Sequence, residues 1–100
     1  MKTTLQELDD KYLVTFDGDL DTAAAVEVDQ ILKPLYTSKG KDIEIECKKL
    51  QYISSSGLRI LSRILKGVKA SGSQVTIRNV NGDIMNVLRL TGLSALFNFE

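Results

Sequence analysis

Three consecutive hydroxyls and a glycine, Ser54-Ser55-Ser56-Gly57, are the point of this chain where chemistry is most concentrated. Upstream lies the apolar run Leu50-Gln51-Tyr52-Ile53, and downstream Leu58-Arg59-Ile60-Leu61-Ser62-Arg63-Ile64-Leu65 with helical periodicity. The serines therefore fall at a strand-to-helix corner. A helix N-terminus leaves N–H groups without intrahelical acceptors and carries a partial positive charge. Serine is a preferred cap at such a place, and capping alone would account for one hydroxyl. At least one other is left exposed, where the helix end favours an anion. A serine so placed suits phosphorylation, or contact with a protein that senses a phosphate.

The residues that would support other chemistry are missing. With no histidine, the chain lacks Ser-His-Asp and Cys-His machinery and the commonest metal ligand. Cys47 is the single cysteine, which removes any intrachain disulfide and any thiolate zinc site. It ends the alternating run Ile43-Glu44-Ile45-Glu46-Cys47 in phase with the isoleucines, as a buried small apolar residue would. Gly40-Lys41 lacks the upstream glycine and the following hydroxyl of a phosphate-binding loop. Ile53 stands where a G-x-S-x-G elbow needs its first glycine. No catalytic residues, metal or cofactor are expected. Thirteen basic residues balance thirteen acidic ones, so the basic excess of a nucleic-acid binder is absent. No apolar run is long enough to span a membrane, and the N-terminus does not read as a signal peptide; a cytoplasmic protein is expected. One hundred residues, 43% of them hydrophobic, are enough for a single domain, 1–100, with a core of its own.

The elements that must position the serines follow from period and punctuation. Two N-terminal strands are expected, about Thr3–Leu8 and Lys11–Phe16, with Asp9-Asp10 as a tight turn and Tyr12, Val14 and Phe16 on one face. Asp17-Gly18-Asp19-Leu20-Asp21 reads as a turn, after which Asp21 or Thr22 caps a helix from about Thr22 to Tyr36. Ala24, Val28, Ile31, Leu32 and Leu35 form its inner stripe, and Pro34 predicts a bend or early end near Lys33. Lys39-Gly40-Lys41 makes a polar loop. The strands Asp42–Cys47 and Val75–Arg78 alternate apolar with polar, so one sheet face should meet water and the helices lie on the other.

A second helix, about Ser56–Ala70, buries Leu58, Ile60, Leu61, Ile64, Leu65 and Val68 and turns Arg59, Ser62, Arg63, Lys66 and Lys69 outward. Gly67 weakens it, as close packing would require. A third helix, about Gly82–Leu90, has Ile84, Val87 and Leu88 inward and a left-handed cap at Gly92; Leu96-Phe97-Asn98-Phe99 adds a short strand. The order β-β-α-β-α-β-α-β with right-handed crossovers gives an α/β fold, a small mixed, mostly parallel sheet with helices on one face.

Three blocks in this frame resemble the STAS domain of bacterial anti-sigma-factor antagonists. They are Gly18-Asp19-Leu20-Asp21, Tyr52-Ile53-Ser54-Ser55-Ser56-Gly57-Leu58, and Leu90-Thr91-Gly92-Leu93-Ser94-Ala95-Leu96-Phe97. The resemblance runs the full length and implies a partner switch. In that switch an anti-sigma factor that is also a serine kinase sequesters a sigma factor, and the unphosphorylated antagonist binds the kinase and releases the sigma factor. Phosphorylation of the antagonist ends binding, and a PPM-type phosphatase restores it. The family's phosphoserine matches Ser55, and Ser56 takes the small-residue position before Gly57. Ser54 departs from the aspartate of many members, although serine still caps a helix. The resemblance further implies a partner-binding surface of Asp19, Asp21, Thr22, Ser54, Ser55, Ser56, Gly57 and Arg59. Turn formation and capping are the structural alternative for the two aspartates, and a solvated face the alternative for Arg59, Arg63 and Lys66. The rival function is a phosphorylation-independent STAS interaction module of a transport or lipid-trafficking assembly.

Overall fold

Alternation along the strands becomes a sheet with one dry and one wet face. The computed structural model describes residues 1–37 and 40–100, without the side chain of Lys69, so Lys39 of the expected polar loop lies outside the described residues. The strands are β1 (Lys2–Glu7), β2 (Lys11–Leu20), β3 (Asp42–Ile53), β4 (Val75–Arg78) and β5 (Asn98–Phe99). They lie side by side in chain order. β1 pairs antiparallel with β2, and all later pairs are parallel. Tyr12, Val14 and Phe16 of β2, Ile43, Ile45 and Cys47 of β3, and Val75 and Ile77 of β4 are buried on one face. The opposite face carries Lys11, Glu44 and Arg78, with Glu44 Oε1 3.0 Å from Lys11 Nζ and Oε2 3.6 Å from Arg78 Nη1.

The helices that cover the dry face are α1 (Thr22–Ile31), α2 (Lys33–Tyr36), α3 (Ser55–Ser71) and α4 (Gly82–Leu90). The bend expected near Lys33 is the break at Leu32, with Pro34 in the first turn of α2, where its missing N–H costs nothing. Ala25, Val28, Leu32 and Leu35 are the buried stripe; Ala24 and Ile31, expected in it, are only half-buried. In α3, Ile60, Leu61, Ile64, Leu65 and Val68 are buried, and Leu58 is half-buried. Asn81 caps α4, its side-chain oxygen accepting from the Ile84 N–H at 2.9 Å. Gly92 then takes a φ of 79°, the left-handed conformation expected of it, before a 3-10 turn over Leu93–Leu96.

Two sequence expectations need correction. Asp17-Gly18-Asp19-Leu20-Asp21 is not a turn, because β2 continues to Leu20. Likewise β3 does not stop at Cys47 but runs unbroken to Ile53. The register explains both. Thr15 pairs with Glu46 but Asp17 with Lys49, and Gly18 pairs with Leu50 but Asp19 with Tyr52. Each shift inserts one extra residue into β3, which is the signature of a β-bulge. The bulges set Lys48 beside Lys49, and Gln51 beside Tyr52, as adjacent exposed pairs, and so break the alternation that marks a strand in sequence. Gly18, at a φ of 113°, supplies the backbone conformation that keeps β2 in step.

Gly67 shows how tightly the helix layer is closed. A Cβ at that position would lie 2.9 Å from the Tyr36 carbonyl oxygen and 3.3 Å from its carbon, both rigid backbone atoms. On propensity alone, Gly67→Ala should stabilise a helix interior by about 0.5–1 kcal/mol. The contact predicts the opposite sign, a loss of about 1–3 kcal/mol from overpacking. Chemical denaturation of the two proteins checks it.

Candidate functional site

The site is built where two parallel neighbours end together. The Ser54 N–H donates to the Leu20 carbonyl at 2.9 Å, which extends the β2–β3 ladder by one bond just as both strands hand over to helices. On the β2 side Asp21 is the cap of α1, its carboxylate accepting from the Ala24 N–H at 2.8 Å. On the β3 side Ser54 caps α3. Its Oγ accepts from the Gly57 N–H at 3.2 Å, and its carbonyl accepts from the Leu58 N–H at 3.0 Å. Ligand sites in open α/β sheets gather at such carboxyl strand ends.

The three serines therefore have three different environments. Ser54 is 8% exposed and spends its hydroxyl on the cap. Ser56 is half-buried and lines a groove between α1 and α3. Ser55, in the first turn of α3, is the exposed one. Gly57 is buried beneath them, and a Cβ there would lie 2.7 Å from Ile53 Cγ1 and 2.8 Å from Leu20 Cγ. Only a glycine lets α3 settle this close to the strand ends. Ser54 and Gly57 thus act from below, while Asp19, Asp21, Thr22, Ser55 and Arg59 are exposed around them.

Charge is distributed unevenly about this corner. Asp19, Asp21 and Glu27 share an open cleft on one side of α1. On its other side lies the α1–α3 groove, of about 360 Å³, whose walls include Thr22, Val26, Arg59, Ile60 and Arg63. Arg63 is tied down there: its Nη1 donates to Asp29 Oδ1 at 2.8 Å and Oδ2 at 2.9 Å. Tyr36 Oη donates to the same Asp29 Oδ1 at 2.7 Å. This brace joins α1, α2 and α3, and no local pattern announces it, because Asp29 and Arg63 are 34 positions apart. The hydrogen bond from Tyr36, with the Arg63 guanidinium beside it, holds the Asp29 carboxyl below its ordinary value. Burial, and then the bond to Asp29, push the Tyr36 hydroxyl up. Cys47 stands apart from the site; burial, helped by Glu46, pushes its thiol up to about 12, the state of an inert core residue.

Comparison with known proteins follows the same lines. The STAS domain family model matches residues 2–100. The anti-sigma-B factor antagonist of Staphylococcus aureus (strain NCTC 8325 / PS 47) is 28% identical over 98 residues, which is 98% of this chain and 89% of that protein. An anti-sigma factor antagonist from Mycobacterium paratuberculosis superposes with a TM-score of 0.80 at 22% identity, over 98% of this chain and 83% of the other. The Bacillus cell fate determinant SpoIIAA in its phosphorylated form superposes at 0.77 with 15% identity, over 99% and 91%. At these identities the two structures speak for the fold. No helix among the described residues is long and apolar enough to cross a membrane.

Two predictions come from this geometry. Ser54→Ala should cost about 0.5–2 kcal/mol, the worth of a cap, whereas exposed Ser55→Ala should stay within about 0.5 kcal/mol of the parent. Thermal unfolding of the pair decides whether Ser54 is the cap. The second concerns Asp29, whose folded pKa lies below its unfolded value of about 3.9. Its contribution is present above that value and is lost as pH falls through the folded pKa. Asp29→Asn should therefore destabilise the protein at pH 7 and show a smaller drop in Tm than the parent between pH 7 and pH 2.

Proposed function

This chain belongs to the STAS domain family, and from that premise we propose that it is a cytoplasmic anti-sigma-factor antagonist switched by phosphorylation of Ser55. Unphosphorylated, it binds an anti-sigma serine kinase and frees the sigma factor that the kinase holds; a PPM-type phosphatase reverses the modification. It works as a regulatory binding protein and not as an enzyme, and it touches no nucleic acid itself. The docking surface is Asp19, Asp21, Thr22, Ser55, Ser56 and Arg59, held in shape from beneath by Ser54 and Gly57. The observation that carries the reading is the division of labour among the serines. One is consumed as a cap and one lies half-buried in a groove, which leaves Ser55 open to a kinase. The antagonist names of the relatives support the partner, and a fold neighbour that exists in a phosphorylated form supports the modification.

The physics of the switch is local. A phosphate adds about −1.5 to −2 charge and several acceptor oxygens. The N-terminus of α3 offsets this by only about 0.3–1 kcal/mol at an exposed site. Asp19 and Asp21 make the neighbourhood acidic already, and Arg59, four residues along α3, offsets the added charge only by the small amount typical of an exposed helical pair. Forced into a close contact without a partner, such a charge costs several kcal/mol. Because the cap belongs to Ser54, neither phosphate nor substitution at position 55 disturbs the helix itself.

A pull-down with the unphosphorylated protein should recover an ATP-binding serine kinase. Incubated with it and ATP, the protein should gain one phosphate, placed on Ser55 by peptide mass spectrometry and abolished by Ser55→Ala. Ser55→Ala and Ser55→Asp should both fold, with closely similar melting curves. In titration the alanine variant should bind the kinase like the parent and the aspartate variant at least a hundredfold more weakly, at about 1.4 kcal/mol per tenfold. Equal binding by the two variants would sink the charge switch.

A further inference from the structure

The α1–α3 groove begins at the serine corner and leads away from it. Thr22 and Ser56 line its near end, beside the caps of the two helices. Farther along, Ala25 is buried on one wall and Ile60 on the other, which gives the groove an apolar floor. Val26 forms its lip and is 65% exposed, although it sits on a helix with Ala25 and Val28 already in the core. Farther still, Asp29 and Arg63 line the groove, and their bond ties α1 to α3 across it.

The cations of the groove are not equivalent. Arg63 is neutralised by Asp29 in a two-pronged bond. Arg59, one turn nearer the serines, forms no ion pair among the described residues. Lys33 also forms none, although its charge reaches Asp29. The groove therefore offers exposed apolar surface with unneutralised positive charge at its rim, while the acidic cleft with Asp19, Asp21 and Glu27 lies across α1. A partner complementary to this face must be apolar and acidic where it meets the groove. Arginine is well suited to read a carboxylate there, with two parallel donors.

We infer that the groove between α1 and α3 is a second contact area for the partner, receiving an apolar side chain against Val26 and Ile60 and an adjacent carboxylate on Arg59. The inference rests on the kinase-binding reading given above, and it extends that surface from the serine corner down the helix pair. Central apolar anchors and arginine pairs carry most of the energy in typical interfaces. Affinity for the partner would then depend on residues well away from the modified serine.

The test is calorimetric titration of the unphosphorylated protein with the kinase recovered in the pull-down, at low and high salt. Val26 and Arg59 are exposed, so Val26→Asp and Arg59→Glu should leave the melting temperature unchanged while each weakens binding at least tenfold. Arg59→Gln should weaken it less and flatten its salt dependence. Lys49→Glu, on the open sheet face, should bind within twofold of the parent. If the parent binds and Ser55→Asp does not, yet Val26→Asp, the one variant of the groove alone, binds within twofold, the groove contact is overturned and the serine switch stands. If the parent fails to bind the kinase at all, both readings fall.

Discussion

One backbone hydrogen bond organises this molecule, that from the Ser54 N–H to the Leu20 carbonyl. It is the last rung between two parallel strands, and each strand gives way to a capped helix directly beyond it. The helices can converge there only because Gly57 has no side chain to hold α3 away from Leu20 and Ile53. Everything that could matter for recognition is set by that junction: the acidic corner, the exposed serine, and the groove that opens between α1 and α3. The bulges of β3 serve the same end. By inserting two residues they bring Ile53 level with Leu20, so that the caps sit abreast.

Much of this was legible in the sequence where one physical cause acts locally. The 3.6-residue stripe placed α3 and α4, strict alternation placed β4, and Pro34 marked the break between α1 and α2. Burial of Cys47 followed from its phase with Ile43 and Ile45. The misreadings cluster where cause and effect lie far apart. The ends of β2 and β3 could not be seen because bulges destroy alternation and because Asp, Gly and Asp imitate a turn. Ala25 replaced Ala24 in the core through a rotation of α1 that only the packing against its neighbours determines.

The site was legible in kind and not in detail. A triplet of serines at a helix start announces a cap and an exposed hydroxyl, but the choice among them depends on the rung to Leu20. No neighbouring residue encodes that rung. The brace of Asp29, Tyr36 and Arg63 was invisible for the same reason: a polar residue in a helix reads as solvated until its partner on another helix is known. Arg63 and Arg59 look alike in sequence, four apart on one face. Only the carboxylate across the groove separates a structural cation from an available one.

The order of the sheet also bears on how such a protein comes into being. Its strands are laid down in space as they are laid down in the chain, each against the one before. During synthesis no strand must leave a gap for a later one to enter, and none waits unpaired for the far end of the polypeptide. The nascent chain can add each unit onto a surface that already exists, which keeps its sticky edge short-lived. The final increment is only Asn98–Phe99, anchored by Phe97 in the core. A sheet assembled in this order grows by accretion, and the junction at Leu20 and Ser54 requires no strand later than β3.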